Sequence, residues 1–243
     1  WKATYLAMAA MMATTMIVTL LAPEPAAPAH APRTLAEAVI APLRDLLSRP
    51  GAWSLLALIM LYKFGDALAG TLTTAFLIRG VGFTPTDVGV VNKGLGLAAL
   101  LGGALIGGVL LAKLPLVKAM LLFGVLQAIS NLSFAWLAWA GKSYPLLVFT
   151  VAFENLASGM GTAAFVAFAM ALCHRSFSAT QYALLSALAS LGRILFGPVT
   201  GTLVAEMGWA WFFVLTFVAA LPGLVLVWWM RGEITAVEQA NPA

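Results

Sequence analysis

The stretch LYKFGDALAGTLTTAFLIRGVGFTPTDVGVVNKGLGL, Leu61–Leu97, decides the fold. Its apolar residues run on continuously, broken by isolated charges at Lys63, Asp66 and Lys93, and do not alternate with polar ones as barrel strands do. Backbone polar groups in lipid must pair within their own segment, so runs of this kind are membrane helices. Each charge at a helix centre costs about 3 kcal/mol on insertion scales. Such residues therefore face one another, a partner helix or a water-filled cavity. Glu154 and Arg193 extend the same pattern into later apolar runs, and five ionisable side chains inside apolar stretches describe a pathway better than an anchor.

Composition agrees. With 62% hydrophobic and 9% charged residues, the 243-residue chain has too little polar surface to cover a soluble globule, and the lipid bilayer is its solvent. The formal charge of +4 comes from 13 basic residues scattered singly, without a basic stripe, which excludes nucleic acid as a partner. Cys173 stands alone, and His30 and His174 are too isolated to complete a metal set, so neither a disulfide, a metal nor a cofactor is expected.

Seven apolar runs approach or exceed the roughly 20 residues a helix needs to cross a bilayer. They are Trp1–Leu21, Trp53–Leu77, Val88–Leu111, Leu116–Ala140, Tyr144–Cys173, Ser178–Ala205 and Trp209–Met230. Turns such as Lys113-Leu-Pro115 and Glu206-Met-Gly208 separate them. The expected class is an all-α membrane protein in which one helix (residues 1–21) precedes a linker (22–52), a six-helix bundle (53–231) and a tail (232–243). Within the linker, LAPEPAAPAHAPR reads as a spacer. Thr34 and Glu37 then open an amphipathic helix whose face of Leu35, Ala38, Val39, Pro42, Leu43, Leu46 and Leu47 opposes Glu37, Arg44, Asp45 and Arg49. That helix is expected on the membrane surface, kinked near Pro42.

If the linker is cytoplasmic, Arg33, Arg44, Arg49, Lys113, Lys118, Arg175 and Arg231 lie inside, against Lys2, Arg79 and Lys142 outside. This follows the positive-inside rule and puts the linker and C-terminus in the cytoplasm. One helix, a linker and a compact set of six are also expected of a six-plus-six transporter without its first five spans.

The polar positions carry the chemistry. Lys63, Asp66, Gly70, Thr73 and Leu77 fall on one helical stripe, so Lys63 and Asp66 can pair within a helix. They form either a neutralised pair for insertion, or a protonatable acid beside a cation that a substrate anion can claim. Asn92 and Lys93 open the next span, with Lys93 about 9 Å inside its start, where it either snorkels or meets substrate. Gly96, Gly103 and Gly107 permit close helix packing. Gln127 and Asn131 share a face, suited to interhelical hydrogen bonds or to a sugar's hydroxyl and acetamido groups. Glu154, followed by Asn155, has no cation in its own helix; it is the best proton-carrier candidate, or else a permanently neutral hydrogen-bonded acid. Arg193 cannot shed its proton, and Glu154 or Asp66 is its expected protein partner.

Enzyme motifs fail on inspection. Lys63-Phe-Gly-Asp66 lacks the first glycine of a GxGD protease, Leu156-Ala-Ser-Gly159 lacks that of a GxSG serine site, and no HExxH occurs. GLGLAA at Gly94–Ala99 matches a dinucleotide fingerprint only formally, because no strand precedes it.

LAPEP (Leu21–Pro25), TLAEAVIAPLRDLL (Thr34–Leu47), the opening stretch, FENLASGMGTAAFVAFAMALCHRSFSATQYALLSALASLGR (Phe153–Arg193) and ALPGLVLV (Ala220–Val227) closely resemble the AmpG-type muropeptide permeases of Gram-negative bacteria. The resemblance covers nearly the whole chain and implies the major facilitator fold, here the end of the sixth helix, the central linker and helices seven to twelve. It implies inner-membrane, proton-driven import of anhydromuropeptides, GlcNAc-1,6-anhydroMurNAc with or without peptide, for peptidoglycan recycling, with links to β-lactamase induction. On that reading, peptide carboxylates suit Lys63, Lys93 and Arg193; sugar groups suit Asn92, Gln127, Asn131 and Asn155; Glu154 and Asp66 couple protons. The other half of the transporter would be a required partner. The turn GGVLLAKLPLVK (Gly107–Lys118) departs from the superfamily's gating motif by having no acid. The competing readings are a transporter of another sugar, peptide or drug, and a noncatalytic membrane partner.

Overall fold

The computed structural model describes residues 2–23, 34–49, 51–174 and 177–240. The spacer reading, His30, Arg33 and Arg175 lie outside them. The described elements are helical: α1 (Lys2–Leu21), α2 (Leu35–Leu47), α3 (Ala52–Tyr62), α4 (Phe64–Ala75), α5 (Pro85–Val88), α6 (Gly96–Leu111), α7 (Leu116–Ala140), α8 (Tyr144–Leu172), α9 (Ser178–Trp229) and α10 (Arg231–Ala240). Two π-helical stretches, Phe76–Gly80 and Gly89–Leu95, extend α4 and lead into α6.

Six continuous helical stretches among the described residues are long and apolar enough to cross a membrane. The last of them, α9, has 52 residues. At a 1.5 Å rise it would measure about 78 Å, more than twice a bilayer's hydrocarbon thickness. Gly208 resolves this: at φ 79° and ψ 167° it leaves the helical region, as glycine can without a Cβ penalty, and divides α9 into two spans. The described residues therefore hold seven spans, with the break inside the turn Glu206-Met-Gly208.

The spans pack mainly as α6 on α8, α7 on α9 and α8, and α3–α4 on α9. Small residues set the closest approaches. A Cβ added to Gly103 would sit 2.1 Å from the Leu156 carbonyl oxygen, and one added to Gly159 would sit 2.3 Å from that of Leu100. The two helices therefore touch backbone to backbone, as small residues allow in membranes. Every described residue of α1 is exposed.

The bundle core is split. One apolar cluster holds Leu58, Ile59, Tyr62, Met120, Phe123, Phe168, Leu185 and Ile234, and the other holds Phe76, Leu77, Phe134, Leu147, Phe212 and Phe213. Along α3–α4, α7, α8 and α9 alike, the sequence passes from one cluster to the other through a polar stretch: Lys63 to Asp66, Gln127 to Asn131, Glu154 to Asn155, and Arg193. These polar residues thus form a belt between the two apolar clusters, because burial of large apolar side chains occupies both ends.

Three expectations change. The stripe from Lys63 to Leu77 is not one straight helix face, since Lys63 (φ −99°, ψ 3°) breaks the chain between α3 and α4, and the π-helical turn from Phe76 carries Leu77 into the core. The faces of α2 divide differently from the amphipathic expectation: Pro42 and Leu46 are buried with Asp45 and Arg49 on the bundle side, while Val39, Ile40 and Leu43 are exposed. The cause is Gln181, wholly buried at the start of α9, whose amide donates to the Pro42 carbonyl (3.0 Å) and to Asp45 Oδ2 (2.8 Å) and accepts from the His174 N–H (2.6 Å). Arg49 donates to Asp45 and to the Leu172 carbonyl. Burial alone would raise the Asp45 carboxyl, but these bonds from Gln181 and Arg49 hold it below its ordinary value.

The tail is also structured. In α10, Ile234 is fully buried, and Glu238 accepts the backbone N–H of Leu116 (3.0 Å) at the start of α7. Glu233 lies against Gly51 at the start of α3, so near that a Cβ there would sit 2.7 Å from its Oε2. Both carboxylates meet the positive ends of membrane helices.

Candidate functional site

The break at Lys63 builds the site. With its backbone turned out of the helical ladder, the Lys63 ammonium reaches Asp66 Oδ2 (3.6 Å), Gln127 Oε1 (3.4 Å) and Thr162 Oγ1 (3.2 Å), drawing together α4, α7 and α8. Gly65 allows the chain to approach α9 here, since a Cβ would meet the Thr216 carbonyl at 2.6 Å. The Lys63–Asp66 pairing expected from sequence is present, but it bridges the break between α3 and α4 and does not lie within one helix.

Beside this junction lies an open cleft of about 440 Å3, lined by Lys63, Asp66, Thr162, Tyr182, Ser186 and Arg193 among others. Arg193 is exposed to it. Among the described residues Arg193 forms no ion pair, so its expected pairing with Glu154 or Asp66 is corrected: Asp66 is engaged by Lys63, and Arg193 stands across the cleft as a free cation. Glu154 is partly buried, forms no ion pair among the described residues, and interacts electrostatically with Asp66 and Lys63.

The other candidates are placed apart. Gln127 and Asn131 are 4% and 1% exposed, behind the cleft wall, and Gln127 reaches it only through Lys63. Asn92, in the second π-helical stretch, and Asn155, whose amide donates to the Val151 carbonyl (2.9 Å), flank Gly96 at the α6–α8 seam. Lys93 is exposed and unpaired among the described residues. Thr162, Tyr182 and Ser186 join the cleft without having been singled out as site residues. Thr162 lies eight residues after Glu154, two helical turns on, which is the one sequence signal that could have found it.

A bundle of membrane-length helices with an open, charged cleft beside its polar belt has the form of a membrane transporter. The sequence matches the Major Facilitator Superfamily over residues 1–179, and the chain belongs to that family. Its members are transporters and not enzymes. The chain is 52% identical over 227 residues to the anhydromuropeptide permease of Escherichia coli strain K12, covering 93% of this chain and 46% of the relative. The same figures hold for the anhydromuropeptide permease of Escherichia coli O157:H7. An uncharacterized protein of Haemophilus influenzae is 32% identical over 199 residues, covering 78% of this chain and 47% of that protein. The chain spans about half the length of these curated relatives.

Proposed function

We propose that this chain forms one wall of a proton-coupled importer of anhydromuropeptides, working by alternating access in the inner membrane and serving peptidoglycan recycling. The observation that carries the reading is the cleft itself, where two cations, Lys63 and Arg193, face open space beside the carboxylate of Asp66. An anhydromuropeptide pairs peptide carboxylates with a disaccharide, and the similar permeases of Escherichia coli supply that substrate class by name. Lys63 and Arg193 bind the carboxylates, Lys93 attracts them toward the entrance, and Asn92 and Asn155 offer amides to sugar groups. Gln127 and Asn131 support this wall from behind. Glu154 and Asp66 exchange protons, since each can change charge where Arg193 cannot. The remaining half of such a transporter closes the cleft from the opposite side, residues 22–52 form a cytoplasmic linker, and the C-terminus is cytoplasmic.

Uptake of labelled anhydromuropeptide into proteoliposomes under an imposed pH gradient tests the reading in the complete transporter. Uptake should collapse with the gradient, and Glu154→Gln should reduce gradient-driven uptake by about tenfold or more, equivalent to roughly 1.4 kcal/mol in the limiting step. Uptake indifferent to substrate identity or to the gradient would count against it, and full proton dependence in Glu154→Gln would remove Glu154 from the coupling role.

A further inference from the structure

The surroundings of Lys63 separate its two kinds of partner. One, Asp66, is charged and lies on its own chain segment at 3.6 Å; the others, Gln127 Oε1 and Thr162 Oγ1, are neutral, closer, and come from α7 and α8. Lysine offers only donors, so the Gln127 amide must present its oxygen, as it does. Gly161 makes room for that amide: a Cβ there would sit 2.5 Å from Oε1. An ammonium whose one partner is a partly buried carboxylate would hold that carboxylate in its ionised form, because protonating it leaves the ammonium without a partner. Here the ammonium keeps two hydrogen bonds when the counter-charge is lost.

We propose that Gln127 and Thr162 are positioning residues that hold the Lys63 ammonium at the cleft while Asp66 is neutral, which frees Asp66 to take up and release a proton during transport. The proposal rests on the proton-coupled reading above and adds what lets the coupling acid cycle. It assigns Gln127 to the cation and not to substrate. The titratable and charged groups facing Asp66 are Lys63 at the α3–α4 break, Tyr62 at the end of α3, Glu154 on α8, and Tyr182 and Arg193 on α9. None of these changes in the test variants, so a shift is traceable to the neutral acceptors.

The test is an infrared titration of the purified protein in lipid, following the protonated-carboxyl band that Asp66→Asn removes. In Gln127→Leu/Thr162→Val, Lys63 keeps Asp66 as its direct partner and Glu154 only at longer range, so ionised Asp66 is favoured and the band's midpoint should fall by about one pH unit, a tenfold loss in proton affinity. An unchanged or raised midpoint overturns the proposal. Gly161→Ala displaces only the flexible end of Gln127 and should shift the midpoint in the same direction, so the test survives if the double variant folds poorly. The titration uses no substrate. A normal shift without anhydromuropeptide uptake would overturn the proposed substrate alone, whereas uptake with no shift would overturn the positioning role alone.

Discussion

Gln181 shows how one buried amide can decide the placement of a whole helix. It bonds at once to the Pro42 carbonyl, the Asp45 carboxylate and the His174 N–H, so its removal weakens three contacts and takes this donor from the carbonyl of the buried Pro42. Such a loss costs about 1–3 kcal/mol. Gln181→Leu should therefore raise hydrogen exchange of residues 35–49 by about tenfold or more, leaving α6 and α8 protected. The clamp's pH response has a definite sign. Asp45 is held below its ordinary value, so its stabilisation is present above the unfolded carboxyl's pKa of about 3.9 and is lost as pH falls past the lower folded value. Protection of α2 should be flat from neutral pH to about 5 and fall only in stronger acid; a loss near pH 6 would contradict it. None of this was legible in the sequence, where Asp45 and Arg49 read as a solvent face. Helical periodicity fixes which residues share a side, but not which side a neighbour will satisfy with a polar group. The Lys63–Asp66 pairing was legible because it is local, three residues along one chain, while Arg193's freedom depends on which helix lies opposite.

At the scale of elements, the glycines of α6 and α8 hold the closest contact in the bundle. Gly159 touches the Leu100 carbonyl, and Gly103 that of Leu156, so neither position has room for a side chain. Gly159→Val should destabilise the fold by about 1–3 kcal/mol, read as a lowered thermal midpoint in detergent, and should open the seam where Asn92 and Asn155 meet. An unchanged midpoint would mean the helices can part freely. The packing role of the α6 glycines and the boundaries of the spans were readable from apolar run lengths and small-residue spacing. The π-helical stretches and the break at Lys63 were not, because no proline marks them; they follow from how α4 and α6 meet their neighbours.

For the whole molecule, two apolar clusters enclose a polar belt, an order already implied by polar residues placed mid-run in four helical spans, three of them carrying charges. What the sequence withheld was the part played by α10, whose polar composition reads as a tail. Glu238 and Glu233 sit at the N-terminal ends of α7 and α3. Replacing both by alanine should lower the thermal midpoint by several degrees, at about 0.3–1 kcal/mol or more per helix end; no change would show that water serves equally well. The arrangement also bears on biogenesis. Because α10 follows the described spans, the first and third helices of the bundle are made before the carboxylates that face their leading ends. The bundle can be built helix by helix, yet both helix ends have their acidic neighbours only once synthesis has passed residue 238.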